Sequence, residues 1–219
     1  MKIATWNIER PTTATKKNVA IVKCLKEINP DILILTETNK CIDLGDEYQV
    51  LHTSKPVEDF YQEGERRTSI YTKYTSTGQL ETFRDDTSLC ISLQTPFGDL
   101  AVYGTVIGVY GNGKGFIKDL DQQLADFKRI AKSNSLCIAG DLNISFADNY
   151  YFTNQGREKL NSSFEENNLI NLTGDIPNNI DHIILTRTFV GEKTISRKQF
   201  NYPADKKLSD HFGVCITIE

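Results

Sequence analysis

Hydrophobic positions along the chain follow two patterns, one typical of buried strands and one typical of amphipathic helices. Residues 31–36 (DILILT) and 135–140 (SLCIAG) are nearly continuous apolar runs, as expected of strands that are buried on both faces. In residues 15–29, 116–131 and 155–168, apolar side chains recur at the spacing of one helical face. The pattern therefore predicts buried strands that alternate with amphipathic helices.

The remaining apolar segments are short and predict further strands. They are 2–8, 48–52, 68–74, 88–94, 100–107, 182–186, 188–196 and 212–218, with a hairpin turn at 96–99. The order strand, helix, strand, followed by a run of strands, occurs roughly twice. This order predicts an α/β (α+β) fold in which two β-sheets pack face to face with helices outside. We expect a single domain over residues 1–219, because no long linker or low-complexity tract interrupts the pattern.

Composition and charge narrow the class of protein. The chain carries 25 basic and 29 acidic residues, a net charge of −4, which argues against a large contact surface for a phosphate backbone but leaves room for a local basic patch. Its five cysteines are scattered without a CxxC pair, which argues against a disulfide framework or a thiolate zinc site. No apolar run approaches the roughly 20 residues of a membrane span, and the first residues lack an apolar signal segment. We therefore expect a cytoplasmic protein.

Clusters of acids, amides and histidine lie where predicted strands end or begin. One such residue is usually a turn residue or a helix cap, but five clusters predict a common site, because strand ends are where a sheet presents side chains to a ligand. The clusters are TWN with Asn7, TETN with Glu37, GDLN with Asp141 and Asn143, NIDH with Asp181, and SDH with Asp210 and His211.

The crowding of carboxylates indicates a divalent cation. Glu37, Asp141, Asp181 and Asp210 would repel one another unless a cation or an imidazolium compensates their charge. Hard oxygen ligands suit Mg²⁺.

These motifs, in this order, resemble the endonuclease/exonuclease/phosphatase superfamily of divalent-metal phosphoesterases, which includes exonuclease-III-like AP endonucleases, DNase I and sphingomyelinases. The resemblance runs from Thr5 to about Val214. It implies a DNase I-like four-layer α/β sandwich with the site at one edge of the two sheets. It also implies a Mg²⁺ or Mn²⁺ cofactor and a phosphodiesterase activity, and we expect a monomer.

The resemblance implies a set of metal ligands. Glu37 resembles the principal ligand of the family, and Asn7 is its direct or water-mediated partner. Asp210 is a possible further ligand.

The resemblance also implies catalytic roles. Asp141 orients or deprotonates the attacking water, and Asn143 donates a hydrogen bond to the phosphate or to the nucleophile. His211 stabilises the charged transition state, while Asp181 accepts a hydrogen bond from that imidazole and keeps it cationic. We expect His182, in contrast, to be a buried residue of the core.

Residues that contact substrate are less clearly marked. Many family members place a His or Tyr where this chain has Thr105, and Tyr103 or Tyr110 are candidates for the same role. Lys114 is available to a substrate phosphate, and Tyr151 in the segment NYYF is a candidate for stacking on a base.

Several functions remain open from the sequence. Nucleic acid, DNA or RNA, is the favoured substrate, and a small phosphoester or a phospholipid head group is the alternative. A non-catalytic phosphate-binding module with a decayed site is a second possibility. Residues 108–115 (GVYGNGKG) match the G-x-x-x-x-G-K spacing of a P-loop NTPase, but Gly115 replaces the Ser or Thr that holds Mg²⁺.

Overall fold

The chain forms twelve strands and four helices within residues 1–12, 15–109, 111, 113–201 and 208–219, which a computed structural model describes. The elements, in chain order, are β1 (Lys2–Asn7), α1 (Lys16–Ile28), β2 (Ile32–Asn39), β3 (Gln49–His52), β4 (Glu65–Thr72), β5 (Ser76–Leu80), β6 (Leu89–Thr95), β7 (Gly98–Val106), α2 (Lys114–Ala131), β8 (Leu136–Asp141), α3 (Asn154–Glu166), β9 (Leu169–Asn171), β10 (Asp181–Thr186), α4 (Arg187–Val190), β11 (Ile195–Phe200) and β12 (Gly213–Ile218).

The strands form two mixed sheets of six strands each. The first sheet has the order β11-β12-β1-β2-β4-β3, and the second has the order β5-β6-β7-β8-β10-β9. Each sheet contains one parallel pair, β1 with β2 and β7 with β8, and a helix connects the two strands of each pair. The other neighbouring strands are antiparallel.

Three apolar layers hold the sheets and helices together. Side chains such as Ile34 and Val102 fill the space between the two sheets. Helix α1 covers the outer face of the first sheet with Ile21, while α2 and α3 cover the second sheet with residues such as Phe127 and Leu160. This arrangement is the predicted four-layer α/β sandwich. In the described part of the chain, no helix has the length and hydropathy that would let it cross a bilayer.

Local sequence explains where the helices begin and end. The Thr15 hydroxyl accepts a hydrogen bond from the Asn18 amide at the start of α1, and Asn29 adopts a left-handed conformation at its end. The Thr153 hydroxyl caps α3 in the same way by accepting from the Gly156 amide. All three predicted long helices are confirmed to within two residues at each end.

One predicted strand is wrong, and two strands are missed. The segment 188–196 forms the end of α4 and the start of β11, because Phe189 is buried by one helical turn and Gly191, with a φ of 53°, ends that turn. Strands β5 and β9 carry little apolar periodicity, and their pairing with β6 and β10 is set by tertiary contacts.

The inner faces of the sheets change from apolar to polar towards one edge. On β1 the inward positions read Ile3, Thr5 and Asn7, because successive side chains on one face lie two residues apart. On the second sheet, Asp141 and Asp181 continue the inward-facing rows of β8 and β10. The core therefore ends in a row of polar groups between the two sheets.

Gly140 permits close packing at the end of β8. Its φ is +140°, and a Cβ at this position would lie 1.8 Å from the carbonyl oxygen of Thr105 on the neighbouring strand β7. The glycine of the GDLN segment is thus needed to seat Asp141 at the edge of the sheet.

Candidate active site

The sheet edge brings the predicted carboxylates together through strand pairing. Asp141 and Asp181 are register partners on the antiparallel strands β8 and β10. Asn7 lies at the end of β1, and its Nδ2 lies 3.1 Å from Asp141 Oδ2 and 3.2 Å from Glu37 Oε1. Glu37 has a left-handed φ of 43° within β2. Asn7 therefore connects the carboxylates of the two sheets.

His211 and Asp181 form a nearly buried pair. His211 Nδ1 lies 2.6 Å from Asp181 Oδ2, and the two side chains are 14% and 1% exposed. His211 Nε2 lies 3.6 Å from Asp210 Oδ1 and 4.0 Å from Asp141 Oδ2. Burial alone would lower the imidazole pKa, but the Asp181 hydrogen bond and the three carboxylate charges outweigh it and raise the pKa of His211 to about 10. His211 is therefore a cation at neutral pH.

The backbone of the SDH segment is fixed by residues that the sequence did not single out for this purpose. The His211 carbonyl accepts hydrogen bonds from Trp6 Nε1 at 3.1 Å and Asn201 Nδ2 at 2.7 Å. The Ser209 hydroxyl donates to the Asn7 carbonyl at 2.7 Å and accepts from the His211 amide at 3.1 Å. Ser209 thereby joins two of the predicted motifs, TWN and SDH.

Asp141 is held in an electrostatically unfavourable position. Desolvation by burial, followed by the charge of Asp181, raises the pKa of Asp141 to about 7, although His211 and hydrogen bonds act in the opposite direction. The second oxygen of Asp181, Oδ1, is buried without a hydrogen-bond partner among the described residues. Uncompensated carboxylate oxygens of this kind favour a cation or a donor from a substrate.

Asn143 is oriented by two hydrogen bonds. It has a left-handed φ of 52°, its amide donates to Asp141 Oδ1 at 2.9 Å, and its Nδ2 donates to the Ile107 carbonyl at 2.8 Å. The Ile107 amide in turn donates to the Asp141 carbonyl at 2.9 Å. The side chains of Asp141 and Asn143 are thus fixed relative to each other.

Three further charged residues, Glu9, Arg10 and Lys17, lie next to Glu37 and Asp210. The sequence did not predict Glu9 at the site. Glu9 Oε1 accepts from the Asp210 amide at 2.8 Å, and Glu9 Oε2 lies 2.5 Å from Lys17 Nζ. Burial would raise the pKa of Glu9, but Lys17 and the Asp210 hydrogen bonds lower it to about 2, while burial and Glu9 raise the pKa of Asp210. Arg10 Nε lies 3.4 Å from Glu37 Oε2. The position of Glu9 two residues after Asn7 was the signal available in the sequence.

The oxygen-rich cluster suits a hard divalent cation. Asp141, Asp181 and His211 place one potential ligand atom each within 4.8 Å of one another. His211, with a pKa raised to about 10, carries a proton on both ring nitrogens, so the carboxylate oxygens are the available metal ligands. Asn7 presents its nitrogen to the carboxylates, and its Oδ1 accepts from the Glu9 amide at 3.1 Å. In this arrangement Asn7 orients the carboxylates.

His182 is confirmed as a core residue. It is fully buried, and its Nε2 lies 2.9 Å from the Ile144 carbonyl while its Nδ1 lies 3.2 Å from the Thr173 hydroxyl. Burial lowers the pKa of His182 to about 4, so it is neutral where His211 is charged.

The structure does not bring all the predicted substrate contacts to the cluster. The buried Thr105 hydroxyl bonds Gln123 Oε1 of α2 at 2.7 Å, so this side chain faces the helix layer instead of the site. Lys114 starts α2 and lines a separate groove on that helix, and Tyr110 lies outside the described residues. Tyr151 lines a cavity of about 530 Å³ together with Asp181 and His211.

The chain belongs to the Endonuclease/Exonuclease/phosphatase family, whose model matches residues 4–211. It therefore has the fold of the phosphoesterases and nucleases of that superfamily, and the P-loop spacing at 108–115 does not identify an NTPase. No curated protein sequence matches the chain.

Solved structures with this fold cover almost the whole chain. An AP endonuclease from Archaeoglobus fulgidus is 15% identical with a TM-score of 0.73, over 100% of this chain and 99% of that one. A 3′–5′ exonuclease from Neisseria meningitidis is 16% identical with a TM-score of 0.68, over 100% of both chains. A variant of the beta toxin from Staphylococcus aureus with bound magnesium ions is 16% identical with a TM-score of 0.62, over 98% of both chains.

Proposed function

We propose that this protein is a divalent-metal-dependent phosphodiester hydrolase, with nucleic acid as the substrate. The observation that carries the proposal is the geometry around His211, which is paired with Asp181 at 2.6 Å and lies 4.0 Å from Asp141, while Asn7 joins Asp141 to Glu37. Hydrolysis of a phosphoester uses this combination of a positive charge, a base and a cation site.

The carboxylates supply oxygen ligands for Mg²⁺ or Mn²⁺. Glu37, which Asn7 joins to Asp141, and Asp210 would hold the ion near the raised-pKa carboxylate of Asp141. When bound, the ion would neutralise charge on a phosphoryl oxygen and on the leaving group. The bound magnesium of the Staphylococcus aureus beta toxin supports the choice of metal.

The chain's own residues supply the remaining chemistry. Asp141, with a pKa of about 7, is suited to orient a water and accept its proton near neutral pH. His211 offsets the negative charge that grows on the phosphoryl oxygens, and Asp181 keeps it protonated. Asn143 retains one side-chain N–H after bonding the Ile107 carbonyl, and this N–H is available to the phosphate or the nucleophile.

The proposal further includes a single domain over residues 1–219. Its support is the shared inner core, to which strands from both sheets contribute across the described length of the chain.

A substrate panel tests the proposed activity. Purified protein is assayed with Mg²⁺, Mn²⁺ or chelator against abasic-site duplex DNA, single-stranded DNA, RNA, a chromogenic diester and inositol phosphates. We expect metal-dependent hydrolysis of nucleic acid that Glu37→Gln and His211→Ala each reduce strongly. Exposed Glu27, which faces Lys23 one helical turn away, provides the matched control Glu27→Gln. Phosphate binding without turnover on any substrate would instead identify a non-catalytic module.

A further inference from the structure

Two exposed aromatic residues lie beside the catalytic cluster. Tyr150 and Tyr151 follow the GDLN segment, between β8 and α3, and are 59% and 47% exposed. Rings that are exposed next to the polar groups of the site contribute little to the fold by burial, and their faces are accessible to a ligand.

The backbone that carries these rings is braced. Asp148 accepts hydrogen bonds from the Ser145 hydroxyl at 2.5 Å, the Tyr150 amide at 3.0 Å and the Asn178 amide at 2.7 Å. The Ser145 amide donates to the Tyr151 carbonyl at 2.6 Å. Because the backbone is already fixed, the protein segment loses little additional conformational entropy when a ligand stacks on these rings.

The two tyrosines line two cavities that meet at Asn143. The larger cavity, of about 530 Å³, is also lined by His211 and by Phe212 from the segment before β12. The smaller cavity, of about 360 Å³, is also lined by Phe152 and by Phe116 of α2. Aromatic side chains from two separate segments therefore surround the space next to the catalytic histidine.

The chemistry of the larger cavity fits a planar group with polar edges. The exposed Asn178 and the half-buried Asn143 line it together with the rings, and side-chain amides can hydrogen-bond the edge of a nucleobase. With a net charge of −4, the chain has little capacity to bind a long phosphate backbone by charge alone. Stacking and edge contacts are then the available source of affinity.

We propose that Tyr150 and Tyr151 form a stacking surface for a nucleobase adjacent to the scissile phosphate, which makes single-stranded nucleic acid the substrate class. Bases within a duplex have both faces covered by their neighbours, so an unpaired strand can place a base on these rings without the cost of unpairing and unstacking it. This inference rests on the proposed phosphodiesterase function and specifies what that site recognises.

The test compares short single-stranded oligonucleotides that differ only in the residues flanking one cleavable phosphodiester. One substrate carries ordinary nucleosides, and the other carries abasic tetrahydrofuran spacers on the same backbone. We expect kcat/KM for the base-bearing strand to exceed that for the abasic strand by about 5- to 150-fold, which corresponds to about 1–3 kcal/mol for one stacked base.

Three variants identify the source of this preference. Joint replacement of Tyr150 and Tyr151 by Ala should bring the ratio of the two substrates close to one, whereas joint replacement by Phe should preserve it, because the ring faces remain. Phe97→Ala serves as the aromatic control, since Phe97 lies in the β6–β7 hairpin turn at the opposite end of β7 from the site. Equilibrium binding of the same strands to the His211→Ala variant provides a readout that does not depend on turnover.

The possible failures are distinguishable. Hydrolysis of both strands at equal rates, or of duplex as fast as single strand, would overturn the stacking inference while the phosphodiesterase function stands. Absence of hydrolysis by the wild type would overturn the proposed function, and binding to the His211→Ala variant would still decide whether the tyrosines hold a base. A preference for a phosphocholine ester over every oligonucleotide would show that the rings hold a quaternary ammonium group, and would also overturn the inference.

Discussion

The pairing of His211 with Asp181 leads to a prediction that can be measured directly. Replacing Asp181 by Asn preserves the shape of the side chain but removes the negative charge that lies 2.6 Å from His211 Nδ1. The imidazolium then loses its strongest partner, while Asp210 at 3.6 Å and Asp141 at 4.0 Å remain. The pKa of His211 should therefore fall from about 10 but stay above the ordinary value of 6.5.

The size of the change follows from the geometry. An opposite charge in direct contact with a titrating group typically changes its pKa by about 1–3 pH units, or about 1.4–4 kcal/mol. Both partners are nearly buried, so solvent screens this interaction little, and we expect the upper half of that range.

The assay is an NMR titration of the histidine ring protons. The chain has three histidines, and burial lowers the pKa of both His52 and His182 to about 4, so His211 should be the one that titrates in the alkaline range. Asp121→Asn, at the ion pair with Lys159 on the helix surface, is the matched control and should leave the His211 titration unchanged.

The same pair predicts a change in the pH dependence of turnover. In Asp181→Asn, the loss of activity on the alkaline side should begin at lower pH than in the wild type, because the imidazole loses its proton earlier. His211→Ala should reduce turnover by roughly 10²- to 10⁴-fold, and adding Asp181→Asn should cost little more. An unchanged His211 pKa in Asp181→Asn, or fully additive losses in the double variant, would refute the coupling.

Three further predictions concern metal binding, packing and stability. Loss of a residue that only hydrogen-bonds a metal ligand typically weakens metal affinity by roughly 10- to 100-fold. Glu37→Gln removes a proposed ligand itself, so it should weaken Mg²⁺ binding in calorimetry by more than this. An unchanged titration would show that Glu37 is not a metal ligand. Gly140→Ala should lower the free energy of unfolding in urea by about 2–5 kcal/mol, because it combines a strained φ with a clash against the Thr105 carbonyl. Gly45→Ala, which has a φ of +106° but open space around its Cβ, should cost less, and equal losses would rule out the clash. His211 holds its proton more tightly in the folded state, so its stabilising contribution is complete below pH 6.5 and is lost as pH rises towards about 10. The free energy of unfolding should decline from pH 6.5 to 8.5 less steeply in His211→Gln than in the wild type, and parallel curves would contradict the raised pKa.

The sequence predicted the framework of the fold because its signals are local and repeated. Long helices show a strong apolar periodicity and buried strands are continuous apolar runs, so the positions of both are confirmed. The polar ends of the strands indicated where a site would form. The segment 188–196 was misassigned because its apolar residues fit either a strand or a single helical turn, and the choice depends on the packing of Phe189 against the sheets.

The supporting residues of the site could not be predicted in the same way. Ser209 and Asn201 act through hydrogen bonds to backbone groups, and such bonds depend on loop conformations that no local pattern encodes. Thr105 was assigned to the site because the resemblance matched it to a His or Tyr of the family, but the alternation of side chains along β7 turns it towards Gln123. Such errors arise where the role of a residue depends on which face of the sheet its side chain lies on.

The strand register of Asp141 and Asp181 has a consequence for how this protein can change. Their separation is fixed by hydrogen bonds between β8 and β10, while residues 144–180, which follow Asn143 in the connection between the two strands, contribute the tyrosines and α3. Insertions, deletions or whole-segment exchanges within that connection can therefore alter what the protein binds without altering the spacing of the two carboxylates. The reactive groups and the recognition surface are independently replaceable parts, so a connecting segment transplanted from another family member should carry its own preference onto an intact pair of aspartates.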